Sequence, residues 1–394
     1  MFALLARAAD IPRTLISDDE AEPIRNAILR KEAWTVDAIR RIRAEADKRM
    51  REGPWTVVAE RPKDPSIDIH DYYSEAPYWW PNPENPGGPY IRKDGQTNPD
   101  RFLANKSALN SMSDAVFTLG TAAFLLDDVR YAQRASRVVQ TWFVNPRTRM
   151  NPNLEYAQAV PGINTGRGAG IIDGRVFIRA VQGMELLAQS GYWDTKEQAA
   201  VRKWFEEYLV WLTRSKHGED EKRSGNNHAS WWTAQVAAVA TFVENRPVQQ
   251  MAFDYYREQI FPRQIRADGS APGEESRTRS LSYSAFNLEA YTMTCRIAQV
   301  QGVDLWHVTA KGATLETVID YLEPYLADPR KWSKEQISEF PNDGLYFLAF
   351  SGMGLKKPEY VALFRKLEKP EGAWLSLIDL VVSRWEASGH QTRH

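Results

Sequence analysis

Cysteine is almost absent: Cys295 is the only one in 394 residues. An intrachain disulfide is therefore impossible, and a cysteine cage around a structural metal is excluded. Charge of one sign is lacking as well, with 50 Lys plus Arg against 51 Asp plus Glu and a formal net charge of −1. No global basic field exists to hold nucleic acid or an anionic membrane, so neither is an expected partner. An acidic polymer would have to be gripped by a local basic cleft. No apolar run approaches the roughly 18 residues of a membrane span. Met1-Phe2-Ala3-Leu4-Leu5-Ala6-Arg7 makes a poor signal peptide, because its apolar run is short and Arg7 interrupts it. The chain thus reads as intracellular or as one whose leader has been removed. Histidine is scarce: of His70, His217, His228, His307, His390 and His394 only the last two, in the terminal tail, fall at HxxxH spacing and none at HxH, and no metal or other cofactor is expected. Gly166-Arg167-Gly168-Ala169-Gly170 follows no strand and lacks the GxGxxG spacing of a dinucleotide site. It reads as a tight turn that brings backbone close to something, with Arg167 pointing into a cleft. Asn105-Lys106-Ser107 has the form of a glycosylation sequon and reads as a chance match.

Period-two alternation is scarce too, and helical periodicity takes its place. Val201, Trp204, Phe205, Tyr208, Trp211 and Leu212 lay an aromatic stripe on one helix face, and Tyr131, Ala135, Val138 and Trp142 do the same earlier. Further helices are expected near 24–50, 107–126, 175–189, 231–244, 284–300, 312–326, 344–354, 358–367 and 374–387. The chain is all-α on this reading. Short connections favour antiparallel helical hairpins, which can close into an α/α toroid. No fixed-period repeat is present. One catalytic domain is expected over 1–394, with 1–20 and 389–394 as loose termini.

Two long stretches break the pattern, from about Arg61 to Asn98 and from Asn145 to Gly174. Loops this long in a compact domain are functional or disordered, and the aromatic content of the first argues against disorder. Its Tyr78, Trp79 and Trp80 sit beside prolines, not on a periodic helix face. Such rings stack on the CH patches of a pyranose or plug the mouth of the fold as packing.

Gly225-Asn226-Asn227-His228-Ala229-Ser230-Trp231-Trp232 is followed about fifty residues later by Glu274-Glu275-Ser276-Arg277-Thr278-Arg279-Ser280-Leu281-Ser282-Tyr283. Together they supply an amide, an imidazole, a guanidinium and a phenol. Those groups neutralise a carboxylate, remove the proton beside it and protonate a leaving oxygen. Imidazole titrates near neutrality. A phenol has a reference pKa near 10, so Tyr283 needs positive charge nearby to form a phenolate, and Arg277 is placed to supply it. Glu274 and Glu275 are candidates to orient that guanidinium. As a glycosidase pair they convince less, since adjacent residues rarely flank one bond from opposite sides.

Asn-Asn-His followed by a tryptophan, and Arg-Thr-Arg-Ser-Leu-Ser-Tyr, resemble the alginate lyase family. So do Tyr-Trp-Trp-Pro-Asn-Pro, Arg-Met-Asn-Pro-Asn-Leu-Glu-Tyr-Ala-Gln and Gly-Arg-Gly-Ala-Gly-Ile-Ile-Asp. The match runs from about Asp71 to Asn287. The resemblance implies an incomplete α/α toroid with a deep cleft, no required metal, and β-elimination of a 1,4-linked polyuronate. Carried over by position, Asn227, His228 and Arg277 are the carboxylate-neutralising and proton-handling set, and Tyr283 is the catalytic tyrosine. Gln158, Arg167, Tyr78 and Trp80 are implied substrate contacts, and Trp79, Asn226, Trp231, Glu274 and Arg279 join them as candidates for substrate binding. The arginine-to-tyrosine spacing is one residue shorter than in the alginate lyases proper, and the chain is more similar to the branch that includes glucuronan lyases.

On this expectation Asn227, His228 and Arg277 hold the uronate carboxylate, Tyr283 protonates O4, and Tyr283 or His228 removes H5 according to the configuration at C5. Two other readings stand beside it. A glycoside hydrolase would need opposed carboxylates, with Asp68, Asp71, Glu155, Asp173 and Glu274 as candidates. A non-catalytic binder of acidic polysaccharide would keep only the aromatic lining. A polymeric substrate favours a periplasmic or secreted location, and imported oligosaccharides a cytoplasmic one.

Overall fold

The computed structural model describes residues 13–389. Met1–Arg7 and the two C-terminal histidines therefore lie outside the described residues. The helices run in the order α1 Asp18–Leu29, α2 Val36–Arg49, α3 Ala104–Leu126, α4 Val129–Val139, α5 Phe177–Gln189, α6 Thr195–Arg214, α7 Lys216–Lys222 and α8 Asn227–Phe242. After them come α9 Arg246–Tyr255, α10 Phe261–Gln264, α11 Pro272–Glu275, α12 Ser280–Val300, α13 Leu315–Ala327, α14 Phe347–Leu355, α15 Pro358–Lys366 and α16 Ala373–Ala387. The fold is all-α, as its periodicity requires. Successive helices pack as α2 on α3, α3 on α5, α5 on α8, α8 on α12, α12 on α14 and α14 on α16, and α16 returns to α2 and α3.

The stripes explain why these helices bury what they bury. On α6, Val201, Trp204, Phe205, Tyr208 and Leu212 are all buried, and the Trp204 and Tyr208 rings stack at 5.5 Å. The α3–α5 crossing depends on two glycines. A Cβ on Gly120 would stand 2.1 Å from the Gly183 carbonyl oxygen, and one on Gly183 2.4 Å from the Phe117 Cα. Only glycine lets the two backbones meet so closely. By length and apolarity α3 would suffice to cross a membrane, yet 78% of its most apolar window is buried against protein. It is the central helix of the core. Asn105 in its first turn is buried, which removes the sequon from any glycosylating enzyme in the folded state.

Three expectations need correction. The helix foreseen over 24–50 is two, because Lys31 adopts a left-handed φ of 57° and residues 33–35 form a 3₁₀ turn. The loose start foreseen to residue 20 does not hold over 13–20. Leu15 and Ile16 are buried, and their amides donate to Gln182 Oε1 on α5 at 2.8 and 2.9 Å. Arg296 of α12 donates Nε to the Leu15 carbonyl at 2.7 Å. Finally, the two long stretches, foreseen as loops that break the helical pattern, each carry strand. β1 (Tyr73–Glu75) pairs in parallel with β4 (Tyr156–Ala159), and β2 (Trp79–Trp80) pairs antiparallel with β3 (Ile91–Arg92). The expected aromatic loops thus lock onto each other, and they do so over the mouth of the helical array.

Candidate active site

A cavity of about 490 Å³ opens where these loops meet the N-terminal ends of α8 and α12. Its wall includes Tyr78, Trp79, Gln158, Arg167, Asn226, Asn227, His228, Arg277 and Tyr283. The structure therefore brings together residues separated by up to 205 positions.

Asn226 caps α8, its side chain accepting the His228 amide at 3.0 Å. That cap fixes the first turn, so Asn227 and His228 leave the helix start side by side. Asn227 is fully buried. Its backbone N–H donates to Glu274 Oε1 at 2.6 Å and its Nδ2 to Glu274 Oε2 at 2.7 Å, while Oδ1 has no partner. Since a carboxylate only accepts, Glu274 dictates which way the amide faces. His228 Nδ1 lies 2.7 Å from Glu221 Oε1, a carboxylate that is itself 2% exposed. Burial pushes the Glu274 carboxyl above the ordinary carboxylate range, and the two Asn227 hydrogen bonds offset this only in part.

The other half of the site is built on the segment between α11 and α12. Arg277 donates from Nε and Nη2 to the two oxygens of Asp94, at 3.0 and 2.7 Å. Thr278 Oγ1 donates to the same carboxylate at 3.0 Å, as does Arg92 Nη2 at 2.7 Å. Burial alone would raise the Asp94 carboxyl, but Arg277 outweighs it and holds the group well below the usual carboxylate range. The Arg277 guanidinium carbon stands 3.9 Å from the Tyr283 ring centroid, so the cation lies on the phenol's face. Tyr283 Oη donates to Tyr78 Oη at 2.7 Å. Burial and that hydrogen bond raise the Tyr283 phenol well above its ordinary value, and the opposing field of Arg277 does not cancel them. Arg277 thus lies where its field was expected, but burial outweighs it in the free protein, and the phenol is held in its protonated form.

The third wall comes from the second loop. Gln158 sits in β4 with a left-handed φ of 50°, beside the register shift against β1. Strain of that kind clusters at functional sites. Its Oε1 and its carbonyl accept from Arg167 Nη2 and Nε at 2.9 and 3.1 Å. The turn that carries Arg167 packs against β4, where a Cβ on Gly166 would meet the Glu155 carbonyl oxygen at 1.9 Å. This is the close backbone approach expected of the glycine-rich segment.

Not every expected contact reaches the cavity. Trp80, on the opposite face of β2 from Trp79, donates Nε1 to the Gln96 carbonyl at 2.9 Å and carries Lys93 over its ring at 5.1 Å. Trp231 is 2% exposed and packs on Phe286. Glu274 lies behind Asn227 and does not orient Arg277; that task falls to Asp94, while Glu275 pairs with Lys334 at 2.6 Å. Arg279 is tied backbone-to-backbone to Gln336 and lies off the wall. Conversely, Arg92, Lys106, Arg175, Glu221 and Phe286 line the cavity unforeseen. Lys106 rests on the buried Asp173 at 2.8 Å, a carboxylate that also accepts from Ser74 and Tyr72. Position 106 falls just before the helix expected from 107 and stands out only as the middle of the sequon, and Glu221, seven residues before His228, is separated from it by the Ser224-Gly225 break.

The balance of charge on this wall is basic. Arg92, Lys106, Arg167, Arg175 and Arg277 face Asp220 and Glu221, which are neighbours in sequence and not an opposed pair. Among the described residues, neither Arg167 nor Arg175 forms an ion pair with a carboxylate. Of the carboxylates a hydrolase would need, Asp173 and Glu274 are buried and already engaged, and Asp68, Asp71 and Glu155 lie off the wall.

The family model described as Alginate lyase matches residues 56–332. A crystal structure of an alginate lyase from Bacteroides ovatus superposes with a TM-score of 0.87 at 30% identity, covering 93% of this chain and 98% of that one. A histidine-to-alanine variant of alginate lyase A1-III complexed with a tetrasaccharide gives a TM-score of 0.62 at 15% identity, covering 93% of each chain. Alginate lyase A1-III from Sphingomonas species A1 gives 0.56 at 15% identity, covering 83% of this chain and 90% of that one. At that identity the last two speak for the fold alone. No curated protein sequence matches the chain.

Proposed function

The chain belongs to the alginate lyase family, and from that premise we propose that this polysaccharide lyase cleaves a 1,4-linked polyuronate by β-elimination, leaving a 4,5-unsaturated uronate. Mannuronate- or glucuronate-containing polymers, such as alginate or glucuronan, are the proposed substrates. The observation that carries the reading is the convergence of Asn227, His228, Arg277 and Tyr283 on one basic cavity walled by Tyr78 and Trp79.

The uronate carboxylate sits against Asn227, His228 and Arg277, which stabilise the enolate-like charge that builds as H5 leaves. Each of those donors is pre-oriented by a carboxylate, so little reorganisation is left for the reaction itself. Tyr283, protonated at rest and hydrogen-bonded to Tyr78, delivers its proton to O4 of the leaving residue. For mannuronate and glucuronate, whose H5 and O4 lie on the same side, Tyr283 also stands on the face from which H5 departs. Its base role then requires that its own proton go to O4 as H5 is taken, so that one phenol gives a proton to the leaving oxygen and receives one from C5. Arg167 and Arg175, free of carboxylate partners, hold the charges of neighbouring uronates. Export from the cell fits a polymeric substrate, and we extend the proposal to a periplasmic or secreted enzyme.

The test is ultraviolet absorbance over time with polymannuronate, polyguluronate, glucuronan and hyaluronan. Growth of the unsaturated-uronate band on polymannuronate or glucuronan is the expected result. Release of reducing ends without that band would overturn elimination in favour of hydrolysis.

A further inference from the structure

We infer that Glu221 is a positioning residue that fixes the proton of His228 on Nδ1 and so makes Nε2 a proton acceptor whenever the ring is neutral. The inference rests on the elimination reading only for what Nε2 meets; the tautomer itself belongs to the free protein.

The geometry is specific. Glu221 closes α7 and His228 opens α8, so two consecutive helices converge to put a carboxylate 2.7 Å from Nδ1. A carboxylate only accepts, which requires Nδ1 to carry hydrogen in both the neutral and the cationic ring. Glu221 is 2% exposed while His228 keeps 21% of its side chain open. The anion is thus sealed behind the ring, and among the described residues His228 alone hydrogen-bonds to its side chain. Among the described residues Nε2 has no protein partner, and His228 lines the cavity.

Two consequences follow. A neutral His228 cannot donate to a substrate carboxylate through Nε2; it can only accept a proton there. A protonated His228 donates from Nε2 while its Nδ1–H stays on Glu221. The ring's protonation state therefore selects between neutralising a carboxylate and acting as base. The charged groups around it are Glu221 from α7, Asp220 beside it, Glu274 from α11, and Arg277 and Arg167 across the cavity. None but Glu221 reaches the ring by a hydrogen bond.

The test has two readouts. In the full-length protein without substrate, nitrogen-15 ring correlations of His228 are recorded for the wild type, Glu221→Gln and Glu221→Asp. His228→Gln assigns the signal among six histidines. The wild type is expected to show protonated Nδ1 and bare Nε2 in the neutral ring. Glu221→Gln, whose amide can present either a donor or an acceptor, is expected to populate the Nε2–H tautomer, and Glu221→Asp to restore part of the wild-type pattern. In the lyase assay, kcat of Glu221→Gln is expected to fall by up to about 10⁴-fold, the scale seen when a histidine loses the carboxylate that sets its tautomer. KM should change little, and Glu221→Asp should recover activity. A wild-type ring protonated on Nε2 when neutral would overturn the inference, as would unchanged tautomers in Glu221→Gln. If the wild type acts on no polyuronate, the functional proposal fails while the tautomer measurement still decides this one.

Discussion

Glu274 and Asp94 do the same job in opposite electrostatic settings. Each is a carboxylate that fixes one active-site side chain by accepting its N–H groups, Glu274 for Asn227 and Asp94 for Arg277. Glu274 is 1% exposed, faces a neutral amide, and is pushed up by burial. Asp94 keeps 22% of its side chain exposed, faces a cation, and is held far down. Glu274 arrives from α11, against the helical core, whereas Asp94 arrives in the turn after β3, on the loop. One half of the site is thus anchored by the core and is the half that acid reaches first. The other half is assembled by a loop and is indifferent to acid until far lower pH.

The largest expected effect lies where the loop half does chemistry. Tyr283→Phe should lower kcat by roughly 10²–10⁴-fold, the span of a lost general acid, with KM little changed; near-wild-type turnover would remove Tyr283 from the mechanism. Next is Asp94→Ala, which frees Arg277 without burying an unmet group. Turnover is expected to drop on the order of 10²-fold through misplacement, while the melting temperature moves little. A large loss of stability with intact kcat would invert the comparison.

Glu274→Ala should do the reverse. It strands two buried Asn227 donors, at a cost of about 1–3 kcal/mol of stability, visible in chemical denaturation. Glu274→Gln mimics the protonated carboxyl, so its acid-side activity profile should be flatter than that of the wild type. An unaltered profile would move the acid sensitivity elsewhere.

The smallest effect concerns a carboxylate outside the site. Burial pushes Glu185 up to about 7, although Thr14 donates to it from N–H and Oγ1. Its folded value exceeds the unfolded one, so the stability it contributes is complete below about pH 4 and is lost as pH rises through 7. Glu185→Gln should remove that slope, on the order of 2–3 kcal/mol between pH 5 and 8. Parallel pH–stability curves for wild type and variant would contradict it.

How much of this the sequence foretold depends on the range of the contact. The helices were legible because a stripe such as Trp204–Tyr208 is local, and each core position announces itself by period. The site donors were legible because Asn227, His228, Arg277 and Tyr283 lie in two short unusual motifs. Their supports were not, since Asp94 meets Arg277 across 183 residues and Glu221 carries no signature beyond being a glutamate. The break at Lys31 escaped for another reason: no glycine or proline marks it, and a lysine is an uncommon occupant of a left-handed turn. Trp80 and Trp231 were misjudged because composition cannot say which face of β2, or which side of α8, looks into the cavity.

The strap of Thr14, Leu15 and Ile16 has a consequence for biosynthesis. Its amides and carbonyl are claimed by residues 166 to 281 positions downstream. At about 5–20 residues per second, the guanidinium that secures Leu15 is made roughly 14–56 s after the strap itself. For that interval the strap is an apolar segment without its berth. The nascent protein must shelter this strap until α12 has left the ribosome, and any factor that grips it will be competing with Gln182 and Arg296 for the same backbone.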